Sequence, residues 1–223
     1  MNKFIRRISA LFLSAAVSVL PLMISAEADY SAALERIGQY GLMVGRTTED
    51  FAAQETVTRA ELAVIACKLA KAAPSELAAE YADVPSGHWA AGYIQTAVEL
   101  GVMTADNGSF SPDSAVTKAQ AARTMASLLA LDYHAQLYNG YTNGYMTLAV
   151  RFMGIFDAPV AADEAMARAD MAVMLSRALD APVPQRTIAN SGNDTTYTLT
   201  KSDYTIEDYL SGKTDRFSFT SFE

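Results

Sequence analysis

The chain has 223 residues, of which 17 are lysine or arginine and 25 are aspartate or glutamate, so its formal net charge is −8. This acidic balance argues against nucleic-acid binding, which needs a basic face to displace counterions from phosphates. The single cysteine, Cys67, excludes an intramolecular disulfide, and its place in an apolar helical stretch favours a structural role over a thiol nucleophile.

The first 28 residues have the pattern of a secretory signal. Residues 2–7 carry three basic side chains and no acid, residues 8–20 are apolar apart from three serines, and residues 26–28 have the small-x-small form that precedes cleavage. We expect cleavage before Asp29, with cleavage two residues earlier as the alternative. An uncleaved anchor is disfavoured, because a spanning helix needs about 20 apolar residues. Because the leader holds three basic residues and one acid, the exported chain would carry a net charge of −10, with no membrane anchor.

Three segments of the chain share the same order of features. Each has an amphipathic stretch ending in glycine, then a loop, then a short motif that opens a second amphipathic stretch. The glycine-ended stretches finish with Tyr40-Gly41-Leu42-Met43, Leu100-Gly101-Val102-Met103 and Met153-Gly154-Ile155-Phe156. The motifs are Val57-Thr58-Arg59-Ala60-Glu61, Val116-Thr117-Lys118-Ala119-Gln120 and Met166-Ala167-Arg168-Ala169-Asp170. The body from 29 to 182 is thus divided into repeats at about 31–72, 79–132 and 135–182, followed by a tail at 183–223.

Each motif is expected to start a helix. Thr58 with Glu61, and Thr117 with Gln120, have the capping-box spacing that satisfies free N–H groups at a helix start. Apolar residues then recur at positions i, i+3, i+4 and i+7, as in a helix that buries one face. The third motif has Ala167 in place of the cap hydroxyl, so this helix start should be weaker by about 1 kcal/mol. The preceding glycines suit the left-handed position that ends a helix.

Repeat two contains a longer series of ordered features. It reads Tyr81-Ala82-Asp83-Val84-Pro85-Ser86-Gly87-His88-Trp89-Ala90, then Glu99-Leu100-Gly101-Val102-Met103, then Gly108-Ser109-Phe110-Ser111-Pro112-Asp113, before its Thr-Lys-Ala-Gln motif. This order resembles an S-layer homology repeat, a module of bacterial surface proteins. Repeat one keeps the glycine and a full Thr-Arg-Ala-Glu motif, and repeat three keeps the glycine and an Ala-Arg-Ala-Asp version. Both are therefore degenerate copies.

The resemblance implies an all-α fold in which three helix-loop-helix repeats form a pseudo-threefold bundle. It also implies that grooves between neighbouring repeats bind secondary cell-wall polysaccharide, often carrying ketal-pyruvate groups, or a peptidoglycan-linked glycan. In that family the basic motif residue and the tryptophan of the first helix usually contribute to the groove. Carried onto this chain, the glycan-binding candidates are Arg59, Lys118, Arg168, Trp89 and Asp83. The resemblance implies no metal and no cofactor.

The chemistry of these residue types agrees with an anionic sugar ligand. Arginine matches a carboxylate bidentately, whereas lysine acts as a point charge. A basic side chain at a helix N-terminus adds to the positive field there and favours an anion, although it opposes the helix dipole. Trp89 can offer an apolar plane to a sugar ring. The alternatives for each residue alone are a solvated surface charge and a tryptophan that belongs to the core.

The tail differs from the body in composition. After residues 182–184 it is rich in Thr, Ser, Asp, Tyr and Phe. Residues 197–199 and 217–219 alternate like short β-strands, and residues 204–210 could form a short helix. The tail is too short for a catalytic domain, and it either packs on the helical body or extends from it.

No motif in the sequence is typical of an enzyme. There is no paired-histidine metal motif, no Gly-x-Ser-x-Gly elbow and no phosphate-binding loop. We therefore predict a non-catalytic protein of the cell surface that attaches non-covalently to the cell wall. The alternative is a structural or protein-interaction module whose degenerate repeats no longer bind glycan, and a wall hydrolase is a third reading.

Overall fold

The computed structural model describes residues 30–47, 50–77, 80–191 and 194–215, so the predicted signal lies outside the described residues. The described chain is mainly helical, as predicted, and also contains a two-stranded sheet. Its helices are α1 (30–38), α2 (Arg59–Leu69), α3 (Ala91–Glu99), α4 (Lys118–Leu128), α5 (Asp132–Leu137), α6 (Asn143–Arg151), α7 (Arg168–Ala178) and α8 (Ile206–Leu210). The strands are β1 (Pro182–Ser191) and β2 (Asp194–Thr205), which lie between α7 and α8.

Helices α2, α4 and α7 begin at the basic residue of each motif. The two predicted capping boxes are confirmed: the Thr58 hydroxyl accepts the N–H of Glu61 and the Thr117 hydroxyl accepts that of Gln120, both at 3.2 Å. Ala167 precedes α7 and makes no side-chain cap bond, because it has no acceptor. The motif therefore sets where the second helix of each predicted repeat starts.

The three predicted glycine caps are confirmed. Gly41, Gly101 and Gly154 have φ values of +61°, +72° and +66°, in the left-handed region where a Cβ is strained. Each glycine ends a helical segment and turns the chain into the loop that follows. Each of these three loops lines a different surface groove.

A closed cycle of backbone hydrogen bonds joins the three motifs. The N–H of Val57 donates to the carbonyl of Met166 (2.9 Å), that of Met166 to Val116 (2.7 Å), and that of Val116 to Val57 (2.8 Å). All three side chains are fully buried. Each motif therefore pairs with both of the others, and the cycle lies at the centre of the helical body.

The apolar side chains of the helices form one continuous core, with many alanines that allow close helix approach. At Gly144 a Cβ would lie 2.0 Å from the Ala135 carbonyl oxygen, so α6 passes directly against α5. Cys67 is buried in this core, its thiol donates to the Tyr93 carbonyl at 3.4 Å, and burial raises its pKa to about 11. This environment agrees with the predicted structural role of the cysteine.

The tail forms a β-hairpin followed by a docked helix. Strands β1 and β2 pair antiparallel from Pro182 opposite Thr205 to Ser191 opposite Asp194. The predicted strand at 197–199 lies within the longer β2, the one at 217–219 lies outside the described residues, and β1 was not predicted. After β2, the fully buried side chain of Ile206 anchors α8, and its N–H donates to Ala181 at the end of the helical body. The helical part of the tail therefore packs on the body.

Candidate functional site

Three surface grooves lie beside the three basic motif residues. The Arg59 groove, of about 260 Å³, includes Arg59, Thr104, Asp106, Gln120, Arg123 and Tyr141 in its lining. The Lys118 groove, of about 750 Å³, includes Tyr30, Lys118, Phe156, Asp157, Asp170 and Arg177. The Arg168 groove, of about 230 Å³, includes Val44, Arg46, Glu61, Lys68, Trp89 and Arg168. Each groove thus combines a basic motif residue with the loop after a glycine-capped helix and with an aromatic side chain.

Arg59 is held in its groove by neutral groups. Its Nε donates to the Phe110 carbonyl at 2.7 Å and its Nη2 to the Thr104 carbonyl at 2.6 Å. The guanidinium lies 4.6 Å from the centre of the Phe110 ring. Burial lowers the pKa of Arg59 from its usual value, and the group stays a cation because arginine is not deprotonated in proteins.

A second arginine, Arg123, lies in the same groove. Its Nη1 donates to the Thr104 hydroxyl at 2.9 Å, and its guanidinium lies 6.0 Å from the centre of the Tyr141 ring. Tyr141 is exposed. The groove therefore offers two guanidinium groups and an aromatic ring to a ligand.

Asp83 stabilises the loop that contacts Arg59. Its two carboxylate oxygens accept the backbone N–H groups of Phe110 (2.8 Å) and Ser111 (2.6 Å). The bond from Phe110 is the main reason that the pKa of Asp83 lies below its usual range. Asp83 thus fixes the Gly-x-Phe-x-Pro loop that in turn receives the Arg59 side chain.

Arg168 is the most buried of the three basic residues, with 3% of its surface exposed. Its Nε donates to the Phe51 carbonyl at 2.9 Å, its Nη2 to the Val44 carbonyl at 2.6 Å, and its Nη1 to Glu61 at 2.9 Å. The guanidinium also lies 4.7 Å from the centre of the Phe51 ring. Like Arg59, Arg168 donates to two backbone carbonyls and lies over a phenylalanine ring. Unlike Arg59, it also pairs with a carboxylate, that of Glu61.

Trp89 lies at the Arg168 groove and not beside Arg59 or Lys118. It is 64% exposed, which rules out the alternative of a core tryptophan. His88 stacks near it, with ring centres 5.7 Å apart. Trp89 is therefore an exposed aromatic side chain in the lining of the Arg168 groove.

The Lys118 groove has a larger volume than the other two grooves, and its cationic side chains form ion pairs. Lys118 Nζ lies 2.9 Å from Oε2 of Glu164. Nη2 of Arg177 lies 2.6 Å from Oδ2 of Asp157, and both of these residues line the groove. Tyr30 takes the place that Trp89 and Tyr141 occupy in the other two grooves. Here the basic motif residue is present, but it is already bound to a carboxylate of the chain.

The structure places four of the five predicted residues in three separate grooves, whereas Asp83 lines none of them and binds the loop that contacts Arg59; the assignment of all five to glycan binding stays a prediction. Sequence reasoning missed Arg46, Arg123 and Tyr141. Arg123 follows Gln120 by three positions in α4, a helical spacing that puts both on one face and could have revealed it. Among the described residues, no group of three or more His, Cys, Asp or Glu side chains could hold a metal ion.

The family model for the S-layer homology domain matches residues 80–122, which is most of repeat two. A cell surface protein of Thermoanaerobacter kivui is 30% identical over 164 residues, covering 70% of this chain and 21% of that protein. The middle cell wall protein of Brevibacillus brevis is 27% identical over 192 residues, covering 84% of this chain and 18% of that protein. The chain thus spans about a fifth of the length of these two relatives.

An enzyme also shares part of the sequence. Endo-1,4-beta-xylanase A of Thermoanaerobacterium saccharolyticum is 28% identical over 86 residues, covering 39% of this chain and 7% of the enzyme. No helix in the described ranges is long and apolar enough to cross a membrane. The predicted cell-surface location is confirmed by the family match and the two surface relatives. Residues 80–122 therefore match the S-layer homology domain, and the chain is similar to proteins of the bacterial cell surface and cell wall.

Proposed function

We propose that this chain attaches to the cell wall non-covalently, by binding an anionic secondary cell-wall polysaccharide in the grooves between its repeats. The observation that carries the proposal is the recurrence of one set of groups in three grooves: a basic motif residue, the loop after a glycine cap, and an aromatic side chain. A recurring set of this kind suits a polymer, because a polysaccharide presents the same chemical groups many times.

The proposed framework is three helix-loop-helix repeats around a pseudo-threefold axis. The cycle of backbone bonds through Val57, Val116 and Met166 supports it, because each motif makes the same pair of contacts. Around that cycle the N–H groups of Arg59, Lys118 and Arg168 each donate to a carbonyl of another predicted repeat, at 2.9, 2.9 and 2.8 Å. The basic residues are therefore held at equivalent boundaries between repeats.

The side-chain chemistry of the grooves suits an acidic sugar. Backbone carbonyls orient Arg59 and Arg168, so little side-chain entropy remains to be lost when a ligand binds. The exposed face of Trp89 can stack on a sugar ring in the Arg168 groove, and Tyr141 can do so in the Arg59 groove. An arginine gives directional bonds to a carboxylate, and the aromatic ring adds apolar contact.

The pattern of relatives also favours attachment over catalysis. A cell surface protein, a cell wall protein and a xylanase share this segment, which covers at most 21% of any of them. A segment common to proteins with such different names is expected to supply what they share. We therefore propose a binding role for this chain and no catalytic step.

Sedimentation with purified cell-wall sacculi tests this proposal. We expect the chain without its leader to sediment with intact sacculi, and to remain in solution when hydrofluoric acid has first removed the phosphodiester-linked polysaccharide. Trp89→Ala should weaken sedimentation by roughly tenfold, which corresponds to about 1.4 kcal/mol of lost contact. Tyr138→Ala is the matched control, because Tyr138 is also exposed but does not line any of the three grooves.

Failure of the wild-type chain to sediment with intact sacculi would contradict glycan attachment. That result would favour the structural or protein-interaction alternative. Equal sedimentation with stripped and intact sacculi would instead contradict the secondary polysaccharide as the ligand, since peptidoglycan alone would then account for binding. Hydrolysis of the wall material by the wild-type chain would instead favour an enzyme.

A further inference from the structure

The third residue of the motif helix is Glu61 in α2 and Gln120 in α4, and both side chains cap the start of their helix. In repeat one the Oε2 atom of Glu61 accepts the N–H of Thr58 at 2.9 Å. In repeat two the Oε1 atom of Gln120 accepts the N–H of Thr117 at 3.0 Å. One terminal atom of each side chain is thus fixed by its own helix start, and the other is left for the groove.

In the Arg168 groove, this second atom is a carboxylate oxygen with two cationic partners. Oε1 of Glu61 lies 2.9 Å from Nη1 of Arg168 and 2.5 Å from Nη1 of Arg46. Arg46 also pairs with Glu55 at 3.0 Å. A carboxylate of the chain itself therefore occupies the place where an acidic ligand would meet these arginines.

In the Arg59 groove, the corresponding atom is an amide nitrogen. Because a backbone N–H needs an acceptor, Oε1 of Gln120 must face Thr117, and the Nε2 donor is left as the second atom of a side chain that lines the groove. Among the described residues, no ion pair within 4.0 Å involves Arg59 or Arg123; the carboxylates of Asp106, which lines the same groove, and Asp83 act on Arg59 only from a greater distance. Two guanidinium groups and one amide donor thus share a groove in which neither arginine forms an ion pair.

The Lys118 groove is neutralised in a different way. Lys118 is paired with Glu164 and Arg177 with Asp157, and the motif position equivalent to Gln120 is the acidic Asp170. An anionic ligand would have to displace a carboxylate from each of these cations. The three grooves therefore differ in whether the chain itself already satisfies their cations.

We propose that the Arg59 groove alone takes the carboxylate of an acidic sugar, and that Gln120 is the residue that determines this specificity. The inference deepens the proposed function and rests on it. Arg59 and Arg123 bind the carboxylate, Tyr141 contacts the sugar ring, and the Gln120 amide adds a hydrogen bond. The Arg168 groove, with Glu61 in place and Trp89 exposed, takes uncharged parts of the polymer.

The test exchanges the two capping residues. Gln120→Glu keeps the cap, since Glu61 performs the same role in α2, but places a carboxylate beside Arg59 and Arg123. A hexoside carrying a ketal-pyruvate group is the acidic probe, and its methyl ester is the neutral comparison. Calorimetric titration should give one acidic probe per wild-type chain and at least a roughly tenfold weaker affinity for Gln120→Glu, with the ester unaffected.

The reciprocal variant, Glu61→Gln, is the matched control. It also keeps a capping acceptor, and it should bind the acidic probe at least as well as the wild type. The proposal is overturned if Gln120→Glu binds the acidic probe like the wild type, or if Glu61→Gln is the variant that loses binding. A thermal unfolding midpoint close to that of the wild type shows that each variant is folded.

Sacculi separate a failure of this inference from a failure of the proposed function. If the wild-type chain does not sediment, both fail together. If the wild type sediments and Gln120→Glu sediments equally well, the assignment of the Arg59 groove is wrong while wall attachment stands. If the wild type sediments but does not bind the acidic probe, a ketal-pyruvate carboxylate is not the group recognised.

Discussion

Helix α7 starts without the side-chain cap that its two counterparts have. Thr58 and Thr117 each accept an N–H from their helix, whereas Ala167 has no acceptor. The backbone at Ala167 nevertheless has φ −69° and ψ 154°, the extended conformation that both threonine caps adopt. A hydroxyl at this position would therefore face the free N–H groups of the helix start.

We expect Ala167→Ser to raise the free energy of unfolding by about 1 kcal/mol, because serine supplies the missing acceptor. Urea unfolding followed by circular dichroism measures the change. Thr117→Ala is the matched control and should lower the free energy by a similar amount. An unchanged Ala167→Ser variant beside a destabilised Thr117→Ala variant would mean that α7 cannot use a cap at this position.

Residue-scale features were predictable when their cause is local. The capping boxes and glycine caps depend on neighbours within four positions, so the sequence reveals them. The second role of Glu61 is not local, because its arginine partners lie 15 and 107 positions away. For the same reason, the sequence predicted Arg168 but not the carboxylate that pairs with it.

Among the elements, α8 is attached to the body by a cluster of charged groups. The guanidinium of Arg36 in α1 donates to both oxygens of Asp180, at 2.7 and 2.8 Å, and to Glu207 at 2.7 Å. The Tyr40 hydroxyl also donates to Glu207, at 3.1 Å. One arginine of α1 thus links the chain after α7 to the tail helix α8.

Acid should loosen this attachment. Arg36 is the main reason that the pKa values of Asp180 and Glu207 lie below their usual range. A carboxyl with a lowered folded-state pKa stabilises the fold above its unfolded pKa, and that contribution is lost as the pH falls through the folded value. Hydrogen-exchange protection of the Ile206 and Glu207 amides should therefore decrease below about pH 4.

Arg36→Gln is the control for this effect. Its Ile206 and Glu207 amides should already be less protected at neutral pH, and protection should change less on acidification. Equal losses in Arg36→Gln and wild type would show that other carboxyl groups cause the acid response.

Strand β1 was missed because its sequence argues against a strand. Pro182 and Pro184 have no N–H to donate, and they read as the boundary of the tail. In a two-stranded ribbon both strands are edges, and a register shift lies between these two prolines, so the missing donors cost little. Pairing with β2 determines this strand, and the hydrophobic periodicity of its own ten residues does not reveal that pairing.

On the scale of the whole molecule, the cycle through Val57, Val116 and Met166 makes the repeats dependent on one another. Each of these N–H groups is buried and has its acceptor in a different predicted repeat. Opening any one bond leaves a buried backbone group without a partner. The helical body should therefore unfold as one cooperative unit.

Leu128→Ala tests this cooperativity, because Leu128 is fully buried in α4, within the predicted second repeat. The substitution should cost about 2–5 kcal/mol. Hydrogen exchange should report the same loss of protection at Val57, Val116 and Met166, although only one repeat was changed. Leu137→Ala, at an exposed position, should leave all three unchanged. Loss of protection at Val116 alone would contradict a single unit.

The helical class, the starts of α2, α4 and α7 and the glycine caps could be predicted because their signals are local to each segment. The grooves could not, because each is assembled across a boundary: Arg59 comes from one predicted repeat, and Thr104 and Arg123 from the next. The order of the segments along the sequence does not show which loop will lie opposite a given motif. The pairing of the three motifs supplies that information.

The pairing of the first motif with the third also imposes an order in time on secretion. A chain that emerges with its N-terminal end first cannot satisfy the Val57 amide until Met166 has arrived. The Lys118 and Arg168 grooves, which both contain residues of the third motif, are then completed after the Arg59 groove. A product stalled or cut before the third motif would lack both of these grooves and would leave the buried Val57 amide without its acceptor, so the helical body can close only after its last third has emerged.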